Sequence, residues 1–204
     1  HHIIGGTMYY VDAGGSSTTH TYQVHLLLYR GCEPVDNQHA ALDQVISFTI
    51  YDKDNNQLYG NPVTVQLSRI EILSNAHNDP CIINPPAVCY QVGHYDATIT
   101  LPVNNNGYVV VFQRCCRNNL LDNVNANNNV GATYYTELPG TETGVVGDNS
   151  PVFTKEEAVL ICSGSKFNYD YSASDPDNDS LSYSFAEAYD GANYNDVAPG
   201  VSSP

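Results

Sequence analysis

The chain contains no tryptophan, one methionine and only seven lysines and arginines in 204 residues. Against those seven stand 22 aspartates and glutamates, a formal net charge of −15. A surface of that sign repels phosphate backbones and anionic lipid headgroups, which need clustered Lys and Arg to release counterions. Nucleic acid is therefore not an expected partner. No apolar run approaches the ~20 residues that span a bilayer, so membrane insertion is not expected either. The opening His1-His2-Ile3-Ile4-Gly5-Gly6 lacks the charged and long apolar regions of a signal peptide. Also missing are Cys-x-x-Cys, Gly-x-Ser-x-Gly and a phosphate-cradling glycine loop ahead of a helix. Zinc-ribbon, hydrolase-elbow and nucleotide-binding chemistry lose their usual carriers. No enzyme is expected.

What is present is cysteine in an even number. Cys32, Cys81, Cys89, Cys115, Cys116 and Cys162 carry no metal-ligand spacing, so they read as a disulfide framework made in an oxidising compartment. That predicts a secreted, cell-surface protein whose signal has already been removed.

Sixteen tyrosines among many Val, Ile and Thr describe β-structure. Runs such as Asn104-Asn105-Asn106 and Asn127-Asn128-Asn129 belong in loops, because Asn tolerates left-handed angles and bonds to its own turn. Strands are expected at 3–12, 21–30, 45–51, 57–59, 63–73 (broken near Ser68), 95–101, 108–115 and 131–138. Tyr22, Val24, Leu26 and Leu28 share one face of the second. The stretch 75–86 holds Pro80, Pro85 and Pro86 and must be loop. Strands separated by turns throughout predict an all-β, immunoglobulin-like β-sandwich over residues 1–145. A composition rich in Gly, Thr, Asp and Asn marks a boundary, and residues 146–204 then read as a short or incomplete second β-sandwich unit. Its expected strands are 158–162, 166–172 and 180–186, too few to stand alone.

Several blocks carry a resemblance. They are Tyr22-x-Val24-x-Leu26-x-Leu28-Tyr29-Arg30-Gly31-Cys32, Pro85-Pro86-Ala87-Val88-Cys89-Tyr90, and Gly107 through Asn118 with its Arg114-Cys115-Cys116-Arg117. Asn149-Ser150-Pro151-Val152-Phe153 and Ser172 through Leu181 complete the set. In this order they resemble the N-terminal region of large secreted surface proteins of Bacteroidetes. Those proteins carry immunoglobulin-like or PKD-like repeats and a gliding-motility-associated C-terminal sorting domain. The resemblance implies a cell-surface location and a modular architecture. This chain departs from it in having Gly31 where relatives tend to have Asp. It also lacks the cysteine that often follows the strand at Leu181 to Phe185, so Cys162 must find another partner.

An immunoglobulin-like topology gathers five cysteines at one pole. With 21–30 as strand B and 108–115 as strand F, both end where the B–C, D–E and F–G loops meet. On that topology Cys81–Cys89 is expected as a local bridge, and Cys32 is expected to join Cys115 or Cys116. The remaining member of the pair would join Cys162, within the chain or in a neighbour. A vicinal Cys115–Cys116 bridge is the strained alternative. Arg114 and Arg117 are expected to bind loop carbonyls or carboxylates and so position the F–G loop.

Two metal readings arise. Asp175, Asp177 and Asp179 alternate along a turn with Asp170 nearby, an oxygen-rich spacing that suits calcium, against the plainer reading of an acidic β-turn. An N-terminal His1-His2 on a sandwich could chelate copper with a third nitrogen from His20, His25, His77 or His94, as in polysaccharide oxygenases. A surface histidine pair is the plainer reading there. Together these observations predict a non-enzymatic structural module of a bacterial surface appendage or adhesin. Its expected partners are further copies of itself, neighbouring domains, or a glycan or protein surface.

Overall fold

A computed structural model of the chain describes residues 3–32, 41–74, 89–114, 131–144, 147–154, 162, 164, 166, 168–186, 189 and 191. Alternating apolar residues build eight strands of one nearly closed antiparallel sheet. They are β1 (Ile3–Gly15), β2 (Thr19–Gly31), β3 (Val45–Asp52), β4 (Gln57–Leu58), β5 (Val63–Ser74), β6 (Cys89–Pro102), β7 (Tyr108–Arg114) and β8 (Ala132–Leu138). One layer is β1-β2-β6-β5 and the other β4-β3-β7-β8. In immunoglobulin lettering these are A-B-E-D and C′-C-F-G. The expected sandwich is the one observed.

The layers meet in a shared strand. Val45–Phe48 of β3 pairs with β5, whereas Thr49–Asp52 pairs with β7. Between the layers lie Val24, Leu26 and Leu28 of β2, Phe48 and Ile50 of β3, Tyr95 and Ile99 of β6, and Val110 and Phe112 of β7. Each set is spaced by two or by four, as a pleat with one buried face requires. Strand β7 is flanked on both sides and buries its other face as well, with Val109 and Val111 against Tyr51.

The turn into β7 carries a second immunoglobulin hallmark. Tyr108 is buried, and its hydroxyl donates to the carbonyl of Pro102, 3.0 Å away. This is the tyrosine corner of the E–F connection. Burial, then the nearby Asp52 carboxylate, pushes the hydroxyl to about 12, so it remains a donor at neutral pH. Gly107 precedes it at φ +81°, and a Cβ there would meet the Leu138 carbonyl oxygen at 2.0 Å. Only glycine fits that approach. Of the asparagines expected in loops, Asn104 bonds its own turn, its Nδ2 donating to the Gly107 carbonyl and its Oδ1 accepting the Gly107 N–H. Asn127, Asn128 and Asn129 lie outside the described residues. The run at 104–106 also clasps the neighbouring β3–β4 hairpin. Asn104 Nδ2 donates to Asp52 Oδ1, and Asn105 and Asn106 donate backbone N–H groups to Asp54.

Two sequence expectations change and one is refined. Strand β6 begins at Cys89, six residues before the expected start at Tyr95, because its first residues continue the ladder with β2 and β5. The break near Ser68 is a register shift between Leu67 and Arg69 within a continuous β5. In the C-terminal part, the described residues of 166–172 and 180–186 form no strand. The only pairing there among described residues is a two-residue ladder, β9 (Val152–Phe153) with β10 (Ala173–Ser174). The tyrosine alternation mimics a strand, but a strand needs a hydrogen-bonded neighbour. The expected strand 158–162 lies, apart from Cys162, outside the described residues.

Candidate functional site

Strands β2, β5 and β7 end, and β6 and β8 begin, at the same pole of the sandwich. The register that pairs Gly31 with Tyr90 brings Cys32 opposite Cys89, and the Cys32 N–H donates to the Cys89 carbonyl at 3.0 Å. The two cysteines form a disulfide with Cα atoms 5.4 Å apart, inside the usual range. This corrects two expected pairings: Cys89 does not bond Cys81, and Cys32 does not bond Cys115 or Cys116. The reason is the early start of β6, which makes Cys89 a strand residue beside β2. Cys162 is also disulfide-bonded. Cys81, Cys115, Cys116 and Arg117 lie outside the described residues.

Arg114 closes β7 at this pole and forms an ion pair with Asp43, just ahead of β3. Burial lowers the pKa of its guanidinium, which stays charged through the carboxylate it faces. The pair ties the exit of β7 to the entry of β3. Leu42 is buried beside Gly93 and plugs the same end of the core.

On the outer face of the β1-β2-β6-β5 layer is a polar cluster that the sequence alone did not reveal. His25 Nδ1 lies 2.7 Å from Asp96 Oδ1, its cross-strand partner. Ser68, freed by the register shift, places Oγ 2.6 Å from Asp96 Oδ2 and 2.9 Å from the His94 carbonyl. Burial would raise the Asp96 pKa, but the Ser68 and His25 hydrogen bonds outweigh it and lower it. His94 is buried between Arg69 and Glu71, with ring nitrogens 3.3 Å and 3.4 Å from them. Burial, then the Arg69 charge, lowers its pKa. Serine, histidine and aspartate meet here in the wrong order for nucleophilic catalysis. The carboxylate stands between Ser68 and His25, so no imidazole can take the hydroxyl proton. The geometry is that of a sheet-stapling network.

The acidic turn also finds a place. Asp175 Oδ1 accepts the N–H groups of Asp177 (2.8 Å) and Asp179 (3.3 Å), with Asn178 left-handed at φ 63°. Asp177 in turn accepts from Asn149, through its backbone N–H at 2.7 Å and its side-chain amide at 2.9 Å. Asp170 Oδ1 accepts from Ser172 N at 2.9 Å. These oxygens therefore serve amides, and among the described residues no group of three His, Cys, Asp or Glu is placed to hold a metal.

The segment beginning at Asp148 covers the seam beside β1. Ser150 N–H donates to the Tyr10 carbonyl (3.1 Å), Tyr10 N–H donates to Ser150 Oγ (3.0 Å), and Asp12 N–H donates to Asn149 Oδ1 (2.8 Å). The buried Tyr10 hydroxyl donates to Asp148 at 2.6 Å, and its pKa is raised by burial and that hydrogen bond.

His1, His2 and His77 lie outside the described residues. His20 is held by both oxygens of Asp12 at 2.8 Å. It faces Gly15 across the β1–β2 hairpin, whereas Ile3 faces Arg30 at the other end. At 3.3 Å per residue that separation is roughly 40 Å. His25 and His94 are taken by carboxylates on the sheet face.

Comparison with family models, with curated proteins and with solved structures returns no match. The fold and the site define an all-β, immunoglobulin-like sandwich with a disulfide across two neighbouring strands.

Proposed function

We propose that the chain is a non-enzymatic, extracellular structural module of a bacterial surface appendage or adhesin, assembling through β-domain contacts. The observation that carries the reading is the Cys32–Cys89 disulfide, since such bonds persist outside the reducing cytoplasm. The resemblance to Bacteroidetes surface proteins points the same way. Assembly draws support from β5. Beyond Leu67 it pairs with β6 on one side and with no described strand on the other. Ile70 and Ile72 are exposed along that half, and an open apolar edge accepts a neighbour's strand.

The test is surface labelling of intact producing cells with a membrane-impermeant reagent, followed by peptide mapping without reduction. The reading expects label on intact cells and the Cys32–Cys89 crosslink. Label only after lysis, with free thiols, overturns it. Assembly is tested separately: Ile70→Lys with Ile72→Lys should leave a folded protein that no longer forms higher species in sedimentation.

A second reading, a glycan- or protein-binding adhesin module, draws on exposed aromatic rings in the C-terminal part. The copper-oxygenase reading has no coordinating set among the described histidines, each of which is paired with a carboxylate.

A further inference from the structure

Four large aromatic side chains are exposed together beside the short β9–β10 ladder. Phe153, Tyr171 and Tyr183 are 50%, 65% and 59% exposed, and Phe185 is fully so. They line one open groove of ≈ 590 Å³ that Asp170 also lines. Contiguous apolar surface of this kind marks a binding face more often than a scattered exposed ring does. Two of the four rings are also held. Tyr183 accepts the Ala173 N–H through its hydroxyl at 3.0 Å, and Tyr169 meets Tyr171 edge-on with centroids 4.6 Å apart. The backbone of Phe153 stands opposite Ala173 in the ladder.

Charge selects the occupant. Among the described residues of this part stand Asp148, Asp170, Asp175, Asp177 and Asp179 against the single Lys166, in a chain of net charge −15. A partner approaching this region meets a negative field and then the electron-rich faces of the rings. Both attract a cation and neither attracts an anion. We propose that this groove docks an extended cationic segment of another protein, with arginine or lysine side chains laid on Tyr171, Tyr183 and Phe185. A second copy of this chain brings the same negative sign, so it is the poorer occupant. A neutral sugar would use the rings but gain nothing from the field. The inference does not depend on where the protein resides.

The experiment uses the whole 204-residue chain with hexaarginine, hexalysine and cellohexaose as probes, followed by calorimetry. The comparison protein carries Tyr171→Leu and Phe185→Ser, which leave every charge in place. Phe185→Ser alone serves as a second variant, because a fully exposed ring contributes little to folding. The expected result is hexaarginine binding that weakens about tenfold in the double variant and falls as salt is raised. Equal binding by both proteins would show that only the general acidity attracts the peptide, and would overturn the proposal. So would saturable cellohexaose binding in preference to the peptides, or a concentration-dependent dimer that Phe185→Ser abolishes.

Discussion

Asn149 and Asp177 grip each other across the junction between the sandwich and the C-terminal part. The asparagine gives both its backbone and its side-chain amide to the one carboxylate. Its own side-chain oxygen meanwhile accepts from Asp12 of β1. One residue thus fastens the acidic turn to the first strand.

Removing that grip should loosen the junction without unfolding the sandwich. Asn149→Ala is expected to cost about 1 kcal/mol and to speed proteolysis after residue 145. Because the Asp177 oxygens already serve amides, millimolar calcium should leave the melting temperature unchanged. A calcium-dependent rise of several degrees that Asp177→Asn abolishes would contradict this account.

The tyrosine corner should matter more than its single hydrogen bond suggests. Tyr108→Phe keeps the ring but leaves the Pro102 carbonyl without its donor, a loss of about 1–2 kcal/mol. Urea denaturation should show a lower midpoint with an unchanged slope.

The disulfide closes a loop across a sequence separation of 57 residues. Restricting the unfolded chain over that span is worth about 4 kcal/mol. Cys32→Ala with Cys89→Ala should lower stability by that order and still fold, because the β2–β6 ladder continues for thirteen residues on each strand. Peptide mapping of the unmodified protein should recover Cys32 joined to Cys89.

Acid should weaken the β2–β6–β5 face in two steps. The His94 pKa is lowered in the folded state, so the unfolded chain takes up a proton first. Stability is full above about pH 6.5 and falls as the pH drops toward the folded-state value. The Asp96 pKa is also lowered, so its contribution is present above about pH 4 and is lost below. His94→Gln should flatten the melting temperature between roughly pH 7 and 5, and Asp96→Asn should flatten it only at lower pH.

Much of this architecture was legible from alternation alone. Tyr22, Val24, Leu26 and Leu28 fall on the core face as their spacing requires, and the polar Ser68 marked the irregularity in β5. The start of β6 was not legible. Pro85 and Pro86 stand close before it and Gly93 interrupts it, both ordinarily signs of a loop. Yet Gly93 is the space Leu42 fills, a contact between segments far apart in sequence. The misplaced start carried the cysteine pairing with it. Tyr169, Tyr171, Tyr183 and Phe185 misled in the opposite sense, since alternation reports one preferred face and not whether a neighbouring strand exists. The His25–Asp96–Ser68 cluster joins three strands, and no local spacing could have announced it.

Strand β3 spends its first half hydrogen-bonded in one layer and its second half in the other. Thermal fraying of either layer must therefore strip partners from both. Heat should melt the sandwich as one cooperative unit, with amide exchange at Phe48 and Thr49 among the slowest and matched to global opening.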